Sequence, residues 1–73
     1  MPNKAALQVA EQWVVEVEQR IARQERLIAR LEPGGNPTKL REARALLDTL
    51  REAQRHAVGS LDELRRAQKG GAG

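Results

Sequence analysis

The sequence EPGGNPT at positions 32–38 separates two long segments of helical pattern and decides how the chain folds. Pro33 disfavours helical geometry at Glu32, the residue before it. Gly34 or Gly35 readily takes the left-handed conformation that closes the C-terminus of a helix. These residues predict that a first helix ends here.

A second helix is predicted to begin directly after the glycines. Asn36 suits the N-cap, and Pro37 suits the first helical position because an amide hydrogen there would have no acceptor within the helix. A connection this short places consecutive helices side by side and antiparallel. We therefore expect a helix at about 4–32, a turn at 33–36 and a helix at about 37–68.

Apolar residues on both sides of the turn recur with the seven-residue period of a coiled coil. In the first helix, position a holds Leu7, Val14, Ile21 and Ile28, and position d holds Ala10, Val17, Gln24 and Leu31. In the second helix, position a holds Leu40, Leu47, Gln54, Leu61 and Gln68, and position d holds Ala43, Leu50, Ala57 and Leu64. Reversal at the glycines pairs a with d from Leu31–Leu40 to Leu7–Leu64. The pattern predicts an all-α, antiparallel helical hairpin.

The e positions beside this seam carry opposite charges on the two helices. The first helix has Glu11, Glu18, Glu25 and Glu32, and the second has Arg44, Arg51, Val58 and Arg65. Since e flanks face each other in an antiparallel pair, we expect Glu25 to pair with Arg44 and Glu18 with Arg51. Solvated charges without mutual contact are the alternative, which the unbroken glutamate column makes less attractive.

The g positions on the other side of the seam are largely apolar or small. They hold Ala6, Trp13, Arg20 and Leu27 on the first helix, and Lys39, Leu46, Ala53, Ser60 and Ala67 on the second. Two helices cannot enclose an apolar stripe wider than their own seam. We therefore expect a homodimer, a four-helix bundle with two-fold symmetry, whose interface includes Trp13, Leu27, Leu46 and Ala53.

Length and composition allow one domain, residues 1–73, and exclude several classes of protein. Cysteine is absent, which excludes disulfides, and the single His56 has no companion for a structural zinc site. No nucleophile or carboxylate cluster converges on His56, so a solvated surface position is expected. We expect no cofactor and no catalysis.

The two ends of the chain carry no targeting or membrane signal. No apolar run follows the N-terminus or approaches the roughly 18 residues that a membrane span needs, so a cytoplasmic location without a membrane is expected. The glycine-rich residues 69–73 are predicted to be a flexible tail.

The function expected from these features is a small structural or protein-interaction module. Its expected partner is a second copy of itself, with an unidentified protein partner also allowed. The alternative is a nucleic-acid-binding regulator, because basic residues gather near the turn end: Arg23, Arg26, Arg30 and Arg41. Interleaved glutamates and a net charge of only +3 weaken this alternative.

Two features of the pattern allow more than one interpretation. Gln24 and Gln54 sit in core layers, where a buried amide would fix the register; a side chain curled out to solvent is equally compatible with the pattern. Ser60 with Glu63 forms a capping box that could start a separate helix after Gly59. The uninterrupted heptads favour one continuous helix instead.

Three segments resemble a group of small uncharacterised proteobacterial helical-hairpin proteins. They are residues 21–32 (IARQERLIARLE), 35–38 (GNPT) and 45–50 (ALLDTL), within a likeness that covers about 15–64. The group shares an IARQ-x-x-LIA-x-L helix and a glycine turn, but usually has His-Asp where this chain has Asn36-Pro37. The resemblance implies a hairpin and, since that group has no assigned activity, no functional residue. The hairpin is also similar in architecture to the plasmid-copy-control RNA-binding hairpin dimer, which carries little weight for function.

Overall fold

The described part of the chain forms two α-helices that pack side by side as a hairpin. The structure is a computed structural model that describes the backbone of residues 4–72 and the side chains of residues 4–69. Helix α1 spans Lys4–Gly34 and helix α2 spans Pro37–Ala72. The hairpin measures 57 × 14 × 12 Å, so it is one layer of two helices. The predicted all-α helical hairpin is confirmed.

Helix α1 continues slightly past its predicted end at 32, through Pro33 to Gly34. The restraint that Pro33 places on the preceding residue is a preference, and near a helix end the missing amide costs a single backbone hydrogen bond. Gly35 has a φ of 71° and ends the helix in the left-handed region that glycine adopts without steric cost.

Helix α2 begins as the sequence predicts, with Asn36 as its N-cap. The Lys39 amide donates to Asn36 Oδ1 at 3.1 Å, and the Leu40 amide donates to the Asn36 carbonyl oxygen at 3.1 Å. Two amides of the first turn are thereby satisfied by one residue, with Pro37 at the first helical position.

Helix α2 is also continuous across Gly59 and Ser60, which confirms the uninterrupted helix. It then passes the predicted end at 68 and continues to Ala72, so the predicted flexible tail is corrected for 69–72; Gly73 lies outside the described residues. Glycine disfavours a helix by roughly 1 kcal/mol per residue but does not forbid its dihedral angles, and the preceding turns supply the acceptors.

Burial follows the predicted seam closely. Every a and d position is buried or half-buried, and Ala53 is the one described residue outside them that is not exposed. Val17 and Ala57 are the most enclosed, with 1% and 2% of their surface exposed. Near the turn, Ile28, Ala43 and Leu47 form a buried cluster against which Ile21, Leu31 and Leu40 pack.

Gln24 turns into the seam rather than out to solvent. Only 8% of its surface is exposed, and its Nε2 donates a 2.9 Å hydrogen bond to the backbone carbonyl of Ala43 on the other helix. The small side chain at position 43 leaves room for an amide to reach that carbonyl. Gln54, the other core glutamine, is half-buried.

The ion pairs across the e flank are displaced from the predicted ones by one heptad. Arg44 lies 4.0 Å from Glu32 and Arg51 lies 3.4 Å from Glu25, so the predicted pairs Glu25–Arg44 and Glu18–Arg51 were wrong. Side chains on a helix lean toward its N-terminus. In an antiparallel hairpin the glutamates of α1 therefore lean away from the turn and the arginines of α2 lean toward it. The carboxylate and the guanidinium therefore meet when the arginine lies farther from the turn than the glutamate does.

Replacing Gln24 tests the buried hydrogen bond. Gln24→Ala loses the bond and leaves unfilled space, so we expect a loss of about 1–3 kcal/mol in the free energy of unfolding. Gln19→Ala, an exposed glutamine on the same helix, should change it by less than about 0.5 kcal/mol. Urea unfolding followed by circular dichroism at one protein concentration measures both; equal effects would show that the Gln24 bond contributes nothing.

The observed ion pairs also predict where a substitution would create a further pair. The same offset sets Glu18 against Val58, which is 39% exposed on the charged flank. Val58→Arg should add a pair and raise the unfolding free energy by up to about 1 kcal/mol at low salt. Thermal unfolding measures the gain, which should vanish in a Glu18→Gln background. A gain that persists there would contradict this pairing.

Candidate interaction face

One side of the hairpin carries large exposed apolar side chains beside the seam. We call Trp13, Leu27, Leu46 and Ala53 the apolar face. Trp13 is 40% exposed, Leu27 is 43% exposed and Leu46 is 49% exposed, while Ala53 is half-buried. All four occupy g positions, so the antiparallel packing of the helices sets them along one flank.

Leu27 of α1 and Leu46 of α2 line a single shallow groove across the two helices. The other residues that line it are Gln24, Leu31, Lys39, Glu42 and Ala43. Gln24 and Ala43 are buried and Leu31 is half-buried, whereas Lys39 and Glu42 are exposed. The groove therefore has a floor of Ala43, Leu31 and the buried Gln24, walls formed by Leu27 and Leu46, and two opposite charges at its rim.

Trp13 is connected to this groove through Arg20. The guanidinium carbon of Arg20 lies 5.9 Å from the centre of the Trp13 ring, a cation–π contact worth about 0.5–1 kcal/mol at an exposed site. Arg20 also lines a second shallow depression with Arg23, Gln24, Leu46 and Leu50. Arg20 therefore lies between Trp13 and the leucine groove on this flank.

The opposite flank of the hairpin is polar. It holds the ion pairs of Arg44 with Glu32 and of Arg51 with Glu25, whose side chains are 50–58% exposed. Such exposed pairs contribute at most about 1 kcal/mol each and stay favourably solvated. The two sides of the hairpin therefore differ in chemistry, and only one offers apolar area along its length.

Sequence reasoning did not single out Val9 and Val15 as exposed. They are 68% and 50% exposed and lie at outer heptad positions of α1. Their positions in the register were the available signal, since c and b positions point away from a two-helix seam. Scattered surface valines are common and need no partner.

The arginines of the nucleic-acid alternative do not form one patch. Arg23 and Arg26 line a shallow depression with Gln19 and Ala22 on the outer side of α1, and Arg30 follows one heptad after Arg23. Arg41 occupies a b position of α2, next to the ion-paired flank. Three of the four arginines therefore share one helix surface, and the fourth lies on the other side of the hairpin.

Neither a metal site nor a membrane span is found in the residues that the structure describes. These residues contain no group of three or more His, Cys, Asp or Glu side chains that could hold a metal ion. His56 is exposed, as expected for a solvated position. Neither helix, over its described length, has a stretch apolar enough to cross a membrane.

No protein-family model, curated protein or solved structure matches this chain. The resemblance to the proteobacterial hairpin proteins stays a prediction. A function is therefore inferred from the geometry of the apolar face.

Proposed function

We propose that this protein is a small non-catalytic interaction module that associates with itself through the apolar face into a homodimeric four-helix bundle. The observation that carries the proposal is the run of half-exposed Trp13, Leu27 and Leu46 along one side of the hairpin. Clustered large apolar side chains on a small surface mark a site of association more often than isolated ones do.

Incomplete burial of the seam residues also favours a second layer of helices. Among the apolar residues of the seam, Leu7, Val14, Ile21, Leu50 and Leu64 are only half-buried, because a layer of two helices leaves both of its faces open. A second layer on the apolar face would cover the d positions among them, Leu50 and Leu64, as well as the tryptophan and leucines. Chains this short seldom bury enough apolar surface alone, and self-association is a common remedy.

A second copy is the simplest partner for such a surface. Two-fold dimers bring the same patch of both chains together, so one apolar face suffices for both sides of the interface. The complementary chemistry is then already encoded in the chain, whereas a foreign partner would need a matching surface of its own. A cytoplasmic location, predicted from the sequence, remains part of this proposal.

Nucleic-acid binding has less support than self-association. Three arginines on one side of α1 are accompanied by Glu25 and Glu32 on the same helix, and the only aromatic ring, Trp13, lies under Arg20. Binding driven by phosphate contacts would fall steeply as salt rises. Absence of binding to RNA and DNA duplexes at low salt would remove this alternative.

Sedimentation equilibrium at micromolar concentration tests the dimer. The protein should sediment at twice its chain mass of 8.1 kDa. Leu46→Glu places a charge in the apolar face and should give a monomer, because burying an unpaired carboxylate is costly. Val15→Glu is the matched control: Val15 is 50% exposed, against 49% for Leu46, but lies outside the face, so it should stay a dimer. A folded monomer for the unchanged chain would contradict the proposal.

A further inference from the structure

We propose that the two copies pack with their turns at opposite ends, so that Trp13 of each inserts into the Leu27–Leu46 groove of the other. This inference rests on the proposed homodimer and adds its orientation and its principal contact. The alternative arrangement, with both turns at the same end, uses the same apolar face but joins different residues.

The spacing along α1 favours opposite ends. Trp13 and Leu27 are separated by about 21 Å along the helix, and their midpoint is residue 20. The middle of Lys4–Gly34 is residue 19. Consider a two-fold axis at this midpoint that lies between the two layers and runs perpendicular to the helices. It brings Trp13 over the groove of the partner and overlaps the two hairpins along nearly their whole length.

The other arrangement leaves the same features unmatched. With both turns at one end, each level of the hairpin faces the same level of its partner. The groove of Leu27 and Leu46 would then face another groove, and Trp13 would face the level of the second Trp13. Arg20 lies at the level of the axis in the first arrangement.

Ala53, the smallest side chain of the apolar face, lies near the level of the proposed axis. In the seam register Ala43 lies opposite Ile28, which sets Ala53 opposite residue 18. That level is within about 3 Å of the proposed axis. At this level α2 presents a small side chain beside Arg20 of α1, and Trp13 and the groove that would receive it lie to either side.

The charge distribution also favours opposite ends. On the turn side of the axis, residues 20–30 and 41–51 carry seven basic and three acidic side chains. On the far side, residues 8–19 and 52–63 carry six acidic side chains and one basic one, and the end of the hairpin beyond them adds the basic residues Lys4, Arg65, Arg66 and Lys69. With the turns at opposite ends these blocks of opposite charge overlap. With the turns together, blocks of like charge overlap instead.

The available area is sufficient for a stable dimer. One long side of a hairpin 57 Å long and 14 Å wide presents about 800 Å², which is about what each partner contributes to an interface of standard size. Tryptophan is among the residue types that are enriched at interface anchors.

A distance between labels decides the orientation. Thr38 is exposed beside the turn, and the chain has no cysteine, so Thr38→Cys carries one spin label per copy. With the turns at opposite ends, electron–electron resonance should give a distance between copies of roughly 40 Å, from about 13 residues of helix on each side of the axis. With the turns together it should be roughly 20 Å or less, the width of a four-helix bundle.

Two variants test the contact itself. Trp13→Ala should weaken dimerisation about 30-fold, as loss of an interface anchor does, while Val15→Ala should change it less than about three-fold. Leu46→Ala combined with Trp13→Ala should weaken it by clearly less than the product of the single effects, because the two residues would touch across the interface. Circular dichroism confirms that each variant is helical.

The outcomes separate the two proposals. If the labelled chain is a monomer, the homodimer fails and the orientation with it. A dimer with the short distance, or with fully multiplicative effects of the two variants, overturns the orientation alone. A dimer with the long distance and coupled variants supports both.

Discussion

The chain reversal at Gly35 is the constraint on which the rest of the structure depends. Its positive φ ends α1, and Asn36 at once caps α2 by accepting the Lys39 amide. Only one residue of turn and one of cap stand between the helices, so the register of the seam is set at its first layer. Each later layer, from Ile28 and Ala43 outward, inherits that register from the rigid helices rather than from contacts of its own.

The buried amide of Gln24 reinforces this register in a way that apolar side chains do not. Leucines and isoleucines pack acceptably in several axial positions, whereas a hydrogen bond of 2.9 Å to the Ala43 carbonyl exists in one. It needs a small residue at position 43. The seam therefore combines non-directional burial, which supplies stability, with one directional contact that selects an alignment.

The sequence predicted the seam almost completely because burial in a two-helix layer depends on helical period alone. It predicted Ala53 as a residue of the dimer interface and not of the seam, although the structure half-buries it within one hairpin. The ion pairs were misplaced since opposing levels were compared without the lean of Glu25 and Arg51 along their helices. The direction of Gln24 was equally beyond the pattern, since a long amide reaches inward or outward from the same backbone position.

The same distinction, between what helical period determines and what side-chain conformation determines, applies to the candidate site. That Trp13, Leu27 and Leu46 share one flank is a consequence of heptad position and could be predicted. That Leu27 and Leu46 join in one groove, and that Arg20 lies over the Trp13 ring, depends on rotamers and on helix separation, which no periodicity specifies. A second layer of helices would use both kinds of feature, the flank for its location and the groove for its alignment.

The reversal of the chain at Gly35 can be tested by a distance within one chain. Cysteines at the exposed positions Gln8 and Glu63, spin-labelled and diluted with unlabelled chain, lie on nearly the same level of the hairpin. In the hairpin these labels should be separated by roughly 20 Å or less. A single uninterrupted helix would hold the same labels about 80 Å apart, and that result would contradict the reversal.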